Sequence, residues 1–590
     1  MSGKRHWRLA AGSSAGSWTG ALVWAVPLLV TLAAGCYGIS QAQPWRDELA
    51  TWSAATRGVG DVFRLTRTVD AATGAYYLLV HGWTGVFGDS VAALRLPSVL
   101  AMAGAAGFTA VLGRRLFGAR AGLVAGLLFA VLPGTSRYAQ EARPYALVTF
   151  FAVLATVLLA RALDGPGWQR WSCYAAAVAG LGLAHLLALG LLAAHAVVVL
   201  AARVHGRPTA DPTGPPANSN SRPGNNQPGN SRPKDSGRGD SRPGKGGPGE
   251  GGPGEGGPGE GGPGEGGPGE GGPGNSRLGD SGPGKGGPGN SGRWDRRLGW
   301  WAVAVLVAGV VLSPLLVTAQ GQRSHQLDWV APARLADLAA LPGGLAQSGV
   351  VGGLLVGLAA LGAARSGRRG LLPDACVVLP VLLLFVAALA VPLWVPRYLF
   401  FTVPFACLLA GAALAAPPPT ARTGAVAVVA LAALLGLPDQ AAVRHSHGWP
   451  RSATVDYRGA AAVIAAGQRP GDAVVYSPRD GWLFLDLGID YHLARTAGDR
   501  TAGSAAGVRP RDVLVTSGRQ DRADLWVDEC PRPTGCLAGV DRVWLVVAGR
   551  HDDPLAAVPG GKGDALRAGF TVEQVRPRPG VTVALLVRRR

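Results

Sequence analysis

The sequence has few of the residues that build metal sites. Six cysteines and ten histidines are spread over 590 residues, and no histidine pair has the His-x-x-x-His spacing that supports a zinc site. It also contains no nucleic-acid-binding motif, so its formal net charge of +19 needs another source. We assign this charge to basic cytoplasmic loops and an arginine-rich exterior domain, and we expect no nucleic-acid partner.

Long apolar runs are abundant instead. The chain is 48% hydrophobic and has a mean hydropathy of +0.21, although it includes a long polar insert. Runs of about 18 or more apolar residues are typical of membrane-spanning helices, and we predict about eleven of them. They cover 19–39, 91–112, 120–135, 145–163, 172–186, 187–203, 299–318, 347–364, 371–391, 398–416 and 423–438. The predicted fold class is a mainly α, polytopic transmembrane bundle.

The basic residues of the short loops predict the orientation. If the amino terminus is cytoplasmic, these basic residues all fall on the cytoplasmic side of the membrane, as the positive-inside rule requires. These residues are Lys4, Arg5, Arg8, Arg114, Arg115, Arg120, Arg161, Arg170, Arg365, Arg368 and Arg369. An odd number of spans then places the carboxyl-terminal domain outside the cytoplasm, in a multi-pass protein of the plasma membrane. The first run lacks a clear cleavage site, so we interpret it as an anchor.

A Gly/Pro-rich segment at 206–297 divides the membrane region into residues 1–205 and 298–439. Five copies of Gly-Gly-Pro-Gly-Glu run from Gly246 to Glu270. Their period of five excludes a collagen triple helix, and the segment has almost no apolar residues to bury. We predict a disordered cytoplasmic linker.

Residues 440–590 differ from the membrane region in composition. A helical stretch at 458–466 and strand-like stretches at 472–476, 512–515, 542–547 and 581–587 predict a small α/β domain. Cys530 and Cys536 lie in this domain, and outside the cytoplasm they are candidates for a disulfide. No second Cys or His pair lies nearby, so a metal site is less well supported there.

An acidic pair, Asp47 and Glu48, follows the first predicted span. Carboxylates at the mouth of an apolar helix bundle are costly unless they accept a proton or hold a cation. The pair therefore suggests enzyme chemistry at a membrane face.

Three polar clusters are predicted to meet at the outer face. Arg46, Asp47 and Glu48 form the first, with Tyr76 and Tyr77 further along the same loop. The second and third clusters contain Arg137, Gln140, Glu141, Arg143, Tyr145, Arg397 and Tyr398. Carboxylates can take a proton from an attacking hydroxyl, and arginines can hold a phosphate in a bidentate manner. Each motif alone also fits a structural role, either as an interfacial Arg-Tyr anchor or as a pairing of Glu141 with Arg137 or Arg143.

The order of these segments resembles the GT-C superfamily of membrane glycosyltransferases, in the family 39 branch that includes protein O-mannosyltransferases and aminoarabinose transferases. The resemblance covers about residues 15–440 and is strongest over 40–160. It rests on Trp45–Glu48, Tyr76–Trp83, Phe87–Ser90, Ala93–Ser98, Arg137–Tyr145 and Pro396–Leu399. Residues 72–75 read Ala-Thr-Gly-Ala where many relatives have a His-Pro-Pro stretch, which leaves the substrate contacts of this loop open.

The resemblance implies a polyprenyl-phosphate sugar donor and transfer to an extracytoplasmic acceptor, which could be protein, lipid or cell-wall glycan. Asp47, with Glu48 beside it, corresponds to the expected base of an inverting single displacement. Arg137, Arg143 and Arg397 are the candidate partners of the leaving lipid phosphate. Carboxylates in such loops act with or without a divalent cation, so the sequence leaves a cation requirement open.

Two other classes of protein fit a polytopic chain. A transporter or flippase would show inverted repeats, interrupted spans and polar residues near the midplane. In this sequence the polar clusters lie instead at the outer ends of the predicted spans. A non-catalytic envelope scaffold would tolerate replacement of Asp47 without loss of function.

Overall fold

A computed structural model describes residues 17–165, 167–205, 290–322, 330–415, 421–445, 455–498 and 509–590. These residues belong to one compact unit. Most of the predicted linker, 206–289, lies outside the described residues. The prediction that the linker extends to residue 297 is wrong at its end, because a helix already begins at Asn290.

The membrane region consists of sixteen described α-helices, numbered α1–α16 in chain order. Their bounds are α1 Ser17–Cys36, α2 Arg46–Ala55, α3 Val59–Thr68, α4 Gly74–Phe87, α5 Val91–Phe117, α6 Ala119–Val131, α7 Pro133–Ala139, α8 Tyr145–Asp164, α9 Trp168–Ala184, α10 Leu191–His205, α11 Asn290–Gly321, α12 Leu335–Ala346, α13 Gly349–Ser366, α14 Leu371–Ala390, α15 Val403–Leu414 and α16 Ala421–His445. Four 3-10 helices supplement them, at Ala71–Thr73, Leu186–Gly190, Gly367–Arg369 and Pro396–Thr402.

The prediction of a polytopic helical membrane protein is confirmed. Among the described residues, eight helices are long and apolar enough to span a membrane, or nine if the bent pair α6–α7 counts as one span. The other two predicted spans, 19–39 and 172–186, coincide with the shorter helices α1 and α9. Each predicted span therefore overlaps a helix of the structure.

The chain between α1 and α5 folds into helices rather than an open loop. We call residues 37–90 the first outer loop, after the orientation that the basic loops predict; it contains α2, α3 and α4. Glu48 helps to start α2, because its Oε2 accepts a hydrogen bond from the backbone N–H of Trp45 at 3.3 Å. This side chain satisfies one of the backbone donors that a helix start leaves free. The start of α2 fixes Asp47 in the first turn of the helix.

A bend of 66° separates α6 from α7. Pro133 occupies the first position of α7, where its missing N–H and fixed φ suit a helix start but do not continue α6. Gly134 follows, and a Cβ there would collide with the carbonyl oxygen of Leu345. The glycine lets α7 pack closely on α12. The bend redirects the chain so that Arg137 and Glu141 reach the same region as Asp47.

The carboxyl-terminal region is the predicted α/β domain. Its helices are α17 Tyr457–Gly467, α18 Leu485–Gly498, α19 Pro533–Cys536 and α20 Gly560–Gly569. Its strands are β1 Ala473–Ser477, β2 Arg511–Asp512, β3 Val515–Ser517, β4 Asp528–Glu529, β5 Arg542–Ala548, β6 Phe570–Arg578 and β7 Val581–Arg588. The main sheet has the order β2-β1-β5-β7-β6, parallel on the β2-β1-β5 side and antiparallel from β5 to β6. The predicted strand at 512–515 is divided between β2 and β3, and sequence analysis missed β6.

The first outer loop and the α/β domain share one hydrophobic core. Leu49 and Tyr77 of the loop are buried in the same cluster as Tyr457, Ile464 and Leu525 of the domain. Apolar burial of this kind is the main favourable term in holding two parts of a chain together. The domain therefore lies on the face of the membrane region that carries the acidic pair.

Candidate active site

Asp47 lies among three arginines that come from different parts of the chain. Its Oδ1 is 3.6 Å from Nε of Arg46, and its Oδ2 is 4.0 Å from Nε of Arg143 and 3.8 Å from Nη2 of Arg397. These distances fit ion pairs but exceed hydrogen-bond length. The Asp47 side chain keeps 14% of its surface exposed. The tertiary structure thus brings one residue of each predicted polar cluster to a single carboxylate.

A second carboxylate and a fourth arginine extend this site. Arg137 Nε lies 3.4 Å from Oε2 of the buried Glu141, and its guanidinium lies over the Trp45 ring at 5.4 Å. Burial raises the pKa of Glu141, while the charge of Arg137 acts in the opposite direction. No described residue donates a hydrogen bond to either carboxylate oxygen of Glu141. The structure therefore contains the Glu141–Arg137 pairing, which sequence analysis left open beside a role in binding.

Positive charge is in excess at this site. The four guanidinium groups of Arg46, Arg137, Arg143 and Arg397 surround two carboxylates, those of Asp47 and Glu141. Their side chains are between 13% and 23% exposed, so water screens them less than it screens surface charges. Such a site attracts an anion, and planar guanidinium groups match the oxygens of a phosphate.

Aromatic rings hold Arg397 in place. Its guanidinium carbon lies 5.9 Å from the ring centroid of Tyr145 and 5.7 Å from that of Tyr398. These two rings are 6.2 Å apart, and His185 packs on Tyr398 with centroids 4.4 Å apart. Tyr145 and Tyr398 were predicted to belong to the site, and the structure places both next to its arginines.

Glu48 differs from its neighbour Asp47. Its Oε1 accepts hydrogen bonds from Arg95 Nε and the Ala142 backbone N–H, both at 2.8 Å. Its Oε2 accepts one from Arg95 Nη2 at 2.7 Å and one from the Trp45 backbone. Both side-chain oxygens of Glu48 are occupied in a buried bidentate pair, which favours a positioning role over the predicted catalytic one.

Sequence analysis missed Arg95 as a residue of functional interest. Its signal is an arginine within an otherwise apolar helix, a position that is costly unless the charge has a partner. Arg95 also donates to the backbone oxygens of Ile39, Ala42 and Gln43 at 2.8 to 3.2 Å. It therefore ties the end of the first span to the acidic pair.

Gln140 was predicted to contact the substrate, but it has a structural role here. Its Nε2 donates to the backbone oxygens of Gly35 and Tyr37, at 2.9 and 2.7 Å. These carbonyls belong to the carboxyl end of α1, where helical hydrogen bonding leaves oxygens without partners. The side chain caps α1 rather than facing the arginines.

Tyr76 and Tyr77 are buried below the site. The Tyr77 hydroxyl donates a hydrogen bond to Asp70, and burial followed by the Asp70 charge raises the pKa of Tyr77 well above its usual value. Asp70 has a left-handed backbone with φ of 56°. Tyr77 therefore supports the first outer loop, and a contact of Tyr76 and Tyr77 with the substrate stays a prediction.

Cys530 and Cys536 are joined by a disulfide in the α/β domain, with their Cα atoms 6.6 Å apart. It closes a short loop between β4 and β5. Within the described parts of the chain, no group of three or more His, Cys, Asp or Glu side chains could hold a metal ion.

Comparison with known proteins agrees with this architecture. Residues 70–213 match the model of the dolichyl-phosphate-mannose-protein mannosyltransferase family. No curated protein matches the chain significantly. Residues 70–213 include Arg95 and the segment from Arg137 to Tyr145, but not Asp47.

Two solved structures share the fold over almost the whole chain. They are ArnT from Cupriavidus metallidurans in the apo state, with a TM-score of 0.53 and 14% identity, and the same protein bound to undecaprenyl phosphate, with 0.55 and 13%. Each alignment covers 97% of this chain and 98% of the other. Over almost its whole length this chain therefore shares the fold of ArnT, and over residues 70–213 it is similar to the dolichyl-phosphate-mannose-protein mannosyltransferase family.

Proposed function

We propose that this protein transfers a sugar from a polyprenyl-phosphate-linked donor to a hydroxyl group of an extracytoplasmic acceptor. The observation that carries this proposal is the placement of Asp47 among Arg46, Arg143 and Arg397 at 3.6 to 4.0 Å. A donor of this kind is supported by the similarity to ArnT, whose structure was solved with undecaprenyl phosphate. The name of the family that matches residues 70–213 refers to dolichyl-phosphate-mannose, which is another sugar linked to a lipid phosphate.

The proposed reaction is a single displacement with inversion. The acceptor oxygen attacks the anomeric carbon and gives its proton to Asp47, while the bond from that carbon to the phosphate oxygen breaks. The products are the glycosylated acceptor and the polyprenyl phosphate. Asp47 suits the role of base because it is partly exposed and its ion pairs are longer than hydrogen bonds.

Arginines would stabilise the leaving group. The lipid phosphate gains negative charge as the bond to the sugar breaks, and fixed cations in a partly buried site stabilise developing charge effectively. Arg143 and Arg397 approach Asp47 from the chain segments that follow α7 and α14. Since guanidinium groups can supply this charge, we propose that transfer does not require a divalent cation. Addition of a chelator should then leave the rate unchanged.

The reaction is proposed for the extracytoplasmic face, because the basic loops predict that the opposite side is cytoplasmic. Asp47 lies in the first outer loop, and the α/β domain shares a hydrophobic core with that loop. A donor with a polyprenyl chain would reach this site from the lipid phase, with its phosphate at the membrane boundary.

Transfer of radiolabelled sugar from polyprenyl-phosphate donors tests this function, using the purified protein in lipid nanodiscs and a membrane extract as the source of acceptors. We expect wild-type transfer that is lost in Asp47→Asn. Asp61→Asn is a matched control, because Asp61 also lies in the first outer loop but pairs with the exposed Arg64. Equal transfer by wild type and Asp47→Asn would remove Asp47 from the mechanism. Movement of intact donor across the bilayer without transfer would favour a flippase.

A further inference from the structure

A cleft of about 760 Å³ lies beyond the carboxyl end of β1 in the α/β domain. β2 lies on one side of β1 and β5 lies on the other, and both are parallel to it. The strands that follow β1 in the sequence are therefore added first on one side of it and then on the other. In open α/β sheets, ligands bind outside the carboxyl ends of strands at such switch points. Its position marks the cleft as the binding crevice expected for this topology.

Aromatic rings line the cleft. Trp482 and Trp526 meet edge to face with centroids 4.8 Å apart, and Phe484 lies against Trp526 at 5.4 Å. Trp482 keeps 37% of its surface exposed. The negative face of an aromatic ring attracts the weakly positive C–H groups of an apolar surface. The flat C–H face of a sugar ring offers such a surface.

Six of the seven charged side chains that line the cleft form ion pairs with one another. Lys562 Nζ lies 2.8 Å from Glu529, Arg479 Nε lies 3.0 Å from the same carboxylate, and Arg522 Nη1 lies 2.9 Å from Asp528. The lining therefore offers hydrogen-bond donors and acceptors without a large excess of either charge. Such a surface suits a neutral ligand with many hydroxyl groups better than an anion.

Unusual backbone conformations concentrate around this cleft. Four non-glycine residues of the described chain have positive φ, and three of them lie within two residues of a lining position. These three are Asp70, Phe484 and Ala523, with φ values of 56°, 48° and 51°. Such conformations cost energy in L-residues and are concentrated at functional sites.

The cleft is built partly from the loop that carries Asp47. Val69 of the first outer loop lines it. Arg57 of the same loop donates to the backbone oxygen of Asp524 at 2.7 Å, and Thr68 donates to that of Ala523. The wall of the cleft is thereby bonded to the helices that position Asp47.

We propose that this cleft binds a neutral saccharide, stacked on Trp482 and Trp526, and that this saccharide belongs to the acceptor. The assignment to the acceptor rests on the proposed function, whereas saccharide binding itself does not. A glycan held here would be fixed on the same loop as the base. The acceptor class that follows is a carbohydrate-containing molecule rather than a bare polypeptide.

Isothermal titration of the full-length protein in nanodiscs tests the cleft, with mannotriose, arabinofuranotriose and chitotriose as probes. At least one trisaccharide should bind wild type and Asp47→Asn with equal affinity. Trp482→Ala should weaken binding by about tenfold or more, because it removes one stacking face. Trp168→Ala is the matched control, since Trp168 is 64% exposed but belongs to α9. Trp482→Phe keeps an aromatic face and should retain most of the affinity.

Absence of binding by all three probes would overturn the proposal, as would equal affinity in wild type, Trp482→Ala and Trp526→Ala. Binding of a proline-rich decapeptide in place of the saccharides would also overturn it. If Trp482→Ala unfolds, the affinity of the folded Trp526→Ala variant decides the question. Saccharide binding in a protein that transfers no sugar would refute the proposed function and leave the saccharide site intact.

Discussion

The Oδ2 atom of Asp47 lies 3.8 Å from Nη2 of Arg397, so the first outer loop and the segment after α14 contribute to one charged site. The two residues are distant in sequence and meet only because the membrane helices pack together. Arg143 approaches the same carboxylate oxygen, at 4.0 Å. Two guanidinium groups from two other parts of the chain thereby lie within 4.0 Å of one carboxylate.

Replacement of Arg397 should slow transfer more than it weakens donor binding. If Arg397 stabilises charge that develops on the leaving phosphate, Arg397→Ala should lower kcat by about 100-fold or more. The kcat of Arg397→Lys should lie between those of wild type and Arg397→Ala, because lysine keeps the charge but loses the planar fork that binds two oxygens. Steady-state transfer kinetics with a varied donor concentration would measure the effect.

Arg368→Ala is the control for this series, since Arg368 is exposed in the 3-10 helix between α13 and α14. An Arg397→Ala protein with normal kcat and a raised KM would show that the arginine only binds the donor. Normal values of both kcat and KM in Arg397→Ala would exclude Arg397 from the site.

Glu48 and Arg95 should behave as a structural pair. Removal of one partner leaves the other as a buried charge without compensation, which costs roughly 3–5 kcal/mol. Glu48→Gln and Arg95→Met should therefore each lower the thermal unfolding temperature in nanodiscs. The Glu48→Leu/Arg95→Met double variant should be more stable than either single variant, because no charge remains buried.

Transfer activity separates this interpretation from a catalytic one. The fraction of molecules of each Glu48 variant that is folded should still transfer sugar, because Asp47 is unchanged. A Glu48→Gln protein with wild-type stability and no activity would return Glu48 to the catalytic residues.

Glu141 should give a pH-dependent contribution to stability. Burial raises its pKa above that of the unfolded chain, so the folded protein binds this proton more tightly. The favourable contribution of Glu141 to the free energy of unfolding is complete at low pH. It is lost as the pH rises through the raised pKa of the folded protein. Relative to wild type, Glu141→Gln should therefore gain stability as the pH rises above the usual pKa of a glutamate.

Thermal unfolding of both proteins across this pH range measures the difference, with Asp61→Asn as the control for a carboxylate that is more exposed than Glu141. A constant offset between Glu141→Gln and wild type at every pH would contradict the prediction. A gain in wild-type stability at high pH would indicate that the Arg137 pair outweighs burial.

Several elements could be predicted from the sequence because local composition dictates them. A run of apolar residues long enough to cross the bilayer must become a helix, since lipid offers no partner for backbone polar groups. The runs rich in Val and Leu at 542–547 and 581–587 likewise correspond to β5 and β7. The edge strand β6 was missed because its charged residues and Pro577 resemble a loop, although a strand at a sheet edge tolerates both.

The sequence by itself determined the membrane helices, the α/β domain and the set of polar residues near the outer face. Only the tertiary structure decided which of those residues act together. Asp47 and Glu48 are adjacent and chemically alike, yet one is partly exposed among arginines and the other is locked to Arg95. Their difference depends on where α5 and the segment after α14 pack, and that packing is a long-range property that no local pattern encodes.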